Sequence, residues 1–203
     1  MKRYIILCIS ILVLTCSLLA GCGESQADIE TDYKETTIRI DKKGSVSETI
    51  IEPFDKDYYD IDELKEEFLQ DINEYNSSKT DEPVKLKSIK LENGNVNVQV
   101  EFASTEDYKN LVKEDLYYGT INDAYDSGYK MDIAMKGTKE GNKIGKVEIM
   151  GMKDKEIVIL SEHVKVSVPR SIEYVTANVE VLSEKEARVV SESGGLAYLV
   201  LSR

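Results

Sequence analysis

Residues 89–102 read IKLENGNVNVQVEF, and this stretch decides the fold class. Asn93-Gly94 is the pair that two-residue hairpin turns favour, because both central positions take positive φ. Beyond it Val96, Val98, Val100 and Phe102 alternate with Asn97, Gln99 and Glu101. That period of two belongs to a strand with one face in a core and the other in water. Pro83 opens the hairpin, and Ile89 and Leu91 lie on its first arm.

Moving towards the N-terminus, residues 60–75 predict the chain's best helix. Asp60 with Glu63 fits a capping box, and Ile61, Leu64, Phe68, Ile72 and Tyr75 recur at helical spacing. Glu63, Glu66, Glu67, Gln70 and Glu74 occupy the opposite face, so the helix lies on a sheet with Leu64 and Phe68 inward. Residues 36–41, with Ile38 and Ile40 on one face, turn at Lys42-Lys43-Gly44 into a returning strand over 45–51 that Pro53 ends.

Towards the C-terminus, Ser104-x-x-Asp107 and Thr120-x-x-Asp123 start two short helices, the second stopped at Gly128. Strands are expected over 129–136, 147–150, 156–160, 164–168, 172–182 and 187–191, then 196–201 after Gly194-Gly195; residues 183–186 could instead cap a short helix. Segments 157–160 and 196–201 are apolar on both faces and should be central. The expected class is α+β: an antiparallel sheet or open β-barrel-like layer with one long and two short helices packed on it.

The chain begins with Lys2 and Arg3, an apolar run over 4–20, and Leu19-Ala20-Gly21-Cys22. That is the layout of a secretory signal peptide. Its end resembles the lipobox of bacterial lipoproteins, which implies diacylglyceryl transfer to Cys22 and cleavage before it. The competing reading is an uncleaved anchor. An apolar run of 17 residues holding Ser10, Thr15 and Ser17 falls short of the roughly 20 needed to span a bilayer. The expected organisation is therefore a lipoprotein signal peptide over 1–21, an acidic tether over 22–35 and a single extracytoplasmic α+β domain over 36–203.

Cleavage would remove two of the 26 basic residues and none of the 38 acidic ones, taking the net charge from −12 to −14. Such a balance argues against nucleic-acid binding and against direct contact with an anionic bilayer. The membrane is then a partner only through the lipid on Cys22. Cys8 and Cys16 leave with the signal peptide and Cys22 becomes a thioether, so none of the three cysteines remains free. Thiol catalysis, thiolate zinc and disulfides are excluded together.

The order of elements resembles the LppM-type envelope lipoproteins, through residues 38–46, 96–102 and 164–169 followed by Arg170-Ser171. The family pattern would put a glycine where Arg170 or Ser171 stands. The resemblance implies a fold and an envelope location, and no catalytic residues.

Chemistry is sparse. His163 is the sole histidine, and no G-x-S-x-G accompanies it. Asp55, Asp57, Asp60 and Asp62 suggest calcium, but the spacing lacks the EF-hand glycine and glutamate. Their other reading is a charged loop meeting a helix dipole. Tyr117, Tyr118, Tyr125 and Tyr129 cluster around Gly119 and Gly128, either as a recognition surface or as packing for the short helices.

No cofactor and no metal is expected. The function that follows is a non-enzymatic, lipid-anchored surface protein binding an envelope lipid, glycan, protein or amphiphile. A structural or accessory subunit of an envelope complex and an exported hydrolase are the alternatives. For the ligand-binding reading, Ile38, Ile40, Val98, Val100, Met131 and Ile133 would wall an apolar cavity, with Tyr117, Tyr118 and Tyr129 near its mouth.

Overall fold

A computed structural model describes residues 35–190 and 195–203. The signal segment, Cys22, the tether up to residue 34 and Gly194 lie outside the described residues. The chain opens with β1 (Thr37–Ile40) and β2 (Val46–Pro53). The Asp41 carboxylate closes the turn between them, accepting from the backbone N–H of Lys43 at 2.7 Å and of Ser45 at 2.9 Å. Next come α1 (Ile61–Ser77), β3 (Val84–Glu92), β4 (Asn95–Phe102), α2 (Thr105–Val112), β5 (Leu116–Thr120) and α3 (Ile121–Asp126). The remainder is β6 (Met135–Gly137), β7 (Lys143–Ile144), α4 (Lys146–Gly151), β8 (Glu156–Leu160) and β9 (Lys165–Ser167). It ends with β10 (Ile172–Val175), β11 (Val179–Val181), β12 (Glu186–Val189) and β13 (Ala197–Leu201).

The class is α+β, but the strands form two sheets rather than one layer, and neither closes into a barrel. The first runs β11-β12-β9-β1-β2-β4-β3 and the second β5-β8-β13-β10-β6-β7. All pairings are antiparallel except β1 with β9. The chain crosses from the first sheet to the second after β4, after β9 and again after β12.

Alternation explains how the layers stack. Val158 and Leu160 of β8, with Leu199 and Leu201 of β13, join the core of the first sheet. Ile157, Ile159, Tyr198 and Val200 point the other way, into a second core with Ile121 and Ala124 of α3 and Ile149 of α4. Strands β8 and β13 are thus buried on both faces, as their unbroken apolar runs require.

Several local expectations are met. Asn93 and Gly94 take φ of +51° and +77°, the geometry of the tight hairpin turn. The Ser104 and Thr120 hydroxyls each accept a backbone N–H three residues on, at 3.1 Å, and so start α2 and α3.

Others are corrected. Residues 147–150 form helix rather than strand: the Glu148 carboxylate accepts the Gly145 N–H at 3.0 Å, and Ile149 is buried while Val147 is 81% exposed. Among the described residues there are four helices, not three. Strand β5 lies between the two short helices, where the sequence pattern predicts no strand. Residues 129–134 have no strand partner, because pairing on that stretch begins only at Met135. Segment 172–182 is two strands, broken where the Thr176 hydroxyl donates to the Asn178 side-chain oxygen at 2.7 Å. No helix among the described residues is long and apolar enough to cross a membrane.

Helix α1 is where the packing departs most from expectation. Asp60 caps it, its carboxylate accepting from the N–H groups of Asp62 at 2.8 Å and Glu63 at 3.3 Å. Its far end is clamped. The Asn76 side chain donates to the Val84 carbonyl at 2.8 Å and accepts the Val84 N–H at 3.2 Å, and the Tyr75 hydroxyl donates to Asp107 at 2.9 Å. Ile72 is 4% exposed, yet Leu64 and Phe68, expected to seat the helix, are only half-buried. The helix is hydrogen-bonded to its neighbours at its C-terminal end, while Leu64 and Phe68 pack against the same core only partly buried.

Candidate functional site

That partial seating leaves a partly open cavity of about 140 Å³ between α1 and the first sheet. Its floor is the inward face of the β2–β4 pair, where register places Glu48 beside Val100, Ile50 beside Val98 and Glu52 beside Val96. Leu64, Phe68 and Ile72 form the roof, and Leu111 and Val112 of α2 close one side. The lining is mostly apolar.

Glu48 is the exception that matters. It occupies an inward position between Val46 and Ile50 and is 5% exposed. Loss of hydration is the largest cause pushing its carboxyl up to about 8, and the neighbouring Glu162 adds to it. Tyr108, wholly buried and set edge-on against Phe102 with ring centroids 5.1 Å apart, places its hydroxyl between the two acids. The hydroxyl bonds Glu162 and lies 3.4 Å from Glu48 Oε1. A tyrosine has one proton to give. With that proton on the Glu162 side, a neutral Glu48 can donate to the tyrosine oxygen, giving the chain Glu48–Tyr108–Glu162. The Glu162 carboxyl is likewise raised, by burial first and by Glu114, with the Tyr108 bond opposing.

Towards the rim stand Glu52 and Asp71. Burial, then Glu74 and Glu67, raises the Asp71 carboxyl. Among the described residues the polar lining is Thr36, Glu48, Glu52, Asp71 and Glu162, with no Lys, Arg or His.

The structure divides the residues singled out in the sequence. Val98 and Val100 line the cavity, and Ile38 and Ile40 lie in the same core. Met131 and Ile133 belong to the second core. Tyr117 and Tyr129 come together, ring centroids 5.1 Å apart, in a separate open cleft of about 910 Å³ with Lys109, Asp132 and Tyr198. Burial, and then Asp123, pushes the Tyr117 hydroxyl up to about 12. Tyr118 projects from the opposite face of β5 against the first core, its hydroxyl also pushed up to about 12, by burial and then Glu156.

Of the four aspartates, Asp60 caps α1 and Asp55 pairs with Lys56 at 3.4 Å. Among the described residues no group of three or more His, Cys, Asp or Glu is placed to hold a metal ion. His163 is half-buried beside Glu162 in the chain.

Comparison with protein-family models, with curated proteins and with solved structures finds no match. The site must therefore be read from its own chemistry. Glu48, Tyr108 and Glu162 were not singled out in the sequence, although one signal for Glu48 was present. The alternation of residues 46–50 that makes Val46 and Ile50 inward also forces a carboxyl into the core.

Proposed function

We propose that this is a non-enzymatic, lipid-anchored protein of the extracytoplasmic membrane face that holds an amphiphilic envelope component between α1 and the first sheet. One observation carries the reading: the apolar cavity of about 140 Å³ under a helix clamped at only one end. Protein interiors rarely keep voids larger than a water. This one opens partly to solvent, so an apolar occupant gains by covering walls that would otherwise face water. A helix whose hydrogen-bonded clamp lies at its C-terminal end, and whose other turns are only partly buried, can shift to admit a longer occupant.

Two further points support the reading. An acid–base pair for hydrolysis needs its members pushed apart in proton affinity, whereas Glu48 and Glu162 are pushed the same way. The lipobox-like Leu19-Ala20-Gly21-Cys22 would tether the cavity beside a supply of amphiphiles. The resemblance to LppM-type envelope lipoproteins belongs to the same proposal.

Native mass spectrometry of the protein purified from its own cells, followed by solvent extraction, tests it. A non-covalent adduct is expected, and Val98→Phe, which fills the cavity, should lose the adduct without losing the fold. A protein that comes out empty, and takes up no envelope lipid or glycan added back, would leave the structural-subunit reading in its place.

A further inference from the structure

The charge of the cavity is one-sided. Its described lining carries four carboxyl groups, on Glu48, Glu52, Asp71 and Glu162, and no cationic side chain. An anionic headgroup would meet only like charge, and a neutral one would gain hydrogen bonds alone. We infer that the occupant bears an ammonium group on an apolar body, and that on binding it displaces a proton from the Glu48–Tyr108–Glu162 chain. This rests on the ligand-binding reading above and names the class of ligand.

The geometry supplies each part. Val100 from β4 and Ile38 from β1 flank Glu48 without charge, so hydrophobic walls lead up to the carboxyl. The groups that face it are Tyr108 from α2, Glu162 from the segment before β9, Glu52 from its own strand and Asp71 from α1. Glu114, just beyond α2, acts on Glu162. In the empty site the Glu48 proton bridges to Tyr108, whose own proton bridges to Glu162.

An arriving R–NH₃⁺ offers three donors. Glu48 then gives its proton to water, its carboxylate accepts from the ammonium, and the Tyr108–Glu162 bond stays as it was. One proton leaves for each cation that enters, so the buried charge does not change, which avoids the cost of an unpaired ion. A divalent metal fits less well, since among the described residues no three carboxyl groups converge to hold one, whereas an ammonium needs an acceptor and apolar room for its chain.

The test uses the full chain in phosphatidylcholine nanodiscs, with empty nanodiscs as the blank. It is titrated calorimetrically with three probes of equal chain length: 1-hexylamine, 1-hexanol and hexanoate. Hexylamine should bind at least about tenfold tighter than hexanol at about pH 8, with hexanoate weakest. Hexylamine affinity should rise towards tenfold per pH unit between about pH 6 and about pH 8, with proton release, while hexanol stays flat. Glu48→Gln should bring the amine down to the alcohol and flatten its pH dependence, and a urea midpoint near that of the wild type at about pH 5 shows that the variant has folded. If hexanol equals hexylamine at every pH, the ammonium inference is overturned while the apolar site stands. If none of the three binds, the ligand-binding reading itself falls.

Discussion

Glu48 sits where its strand neighbours carry Val and Ile, and its burial gives the stability of the whole domain a pH sign. In the unfolded chain its carboxyl loses a proton around its ordinary 4.5, whereas in the folded protein it holds one up to about 8. Between those values the unfolded state binds fewer protons than the native state, so stability must fall as pH rises. The contribution is fully present below about 4.5 and gone above about 8. The steepest slope one such group can impose is about 1.4 kcal/mol per pH unit. Urea unfolding across a pH series should therefore show wild type losing stability from about pH 5 to about pH 8. Glu48→Gln keeps the shape and a hydrogen-bonding group without the charge. It should match wild type within about 1 kcal/mol near pH 5 and exceed it by about 2–4 kcal/mol near pH 8. Parallel profiles for the two proteins would place Glu48 in contact with water.

Helix α1 shows how much an element's own sequence can announce. Asp60 as cap and the spacing of Leu64, Phe68 and Ile72 were readable, because capping and periodicity are local. Periodicity says which face turns inward, but not how closely that face is seated. The clamp at Asn76 joins two elements, and the cavity depends on both together. The same limit explains β5, hidden between two capped helices, and α4, where the Gly145–Glu148 cap outweighs a Val-x-Ile alternation. Mutations can measure how evenly the helix is seated. Ile72→Ala should cost about 2–5 kcal/mol as a buried truncation. Phe68→Ala should cost less, about 1–2 kcal/mol, since its ring is partly exposed and lines the cavity. Asn76→Ala should cost about 1–3 kcal/mol by leaving both polar groups of Val84 without that partner. Equal costs at Ile72 and Phe68, in urea midpoints, would mean that the helix is seated evenly along its length.

At the scale of the molecule, the hairpin at 93–94 and the doubly apolar β8 and β13 were enough for the class. The division into two sheets was not legible, because it turns on long-range pairings such as β1 with β9, which leave no local trace. What the chain does at a membrane follows from its charge. A net charge of −12, with two of its basic residues at positions 2 and 3, argues against an electrostatic hold on anionic lipids. The described residues offer no spanning helix. Attachment in the proposed form must come from the lipid on Cys22, and two acyl chains suffice where one does not. Such an anchor is indifferent to salt. Washing membranes at high ionic strength should therefore leave the wild type in place, and detergent should release it. Its N-terminal peptide should begin at Cys22 and carry diacylglyceryl mass. Cys22→Ser removes the acceptor for the lipid and, with it, the cleavage that follows lipidation. That variant should keep residues 1–21 and run larger on a gel. A wild-type protein whose Cys22 is unmodified, or which salt alone strips from the membrane, would end the lipoprotein proposal.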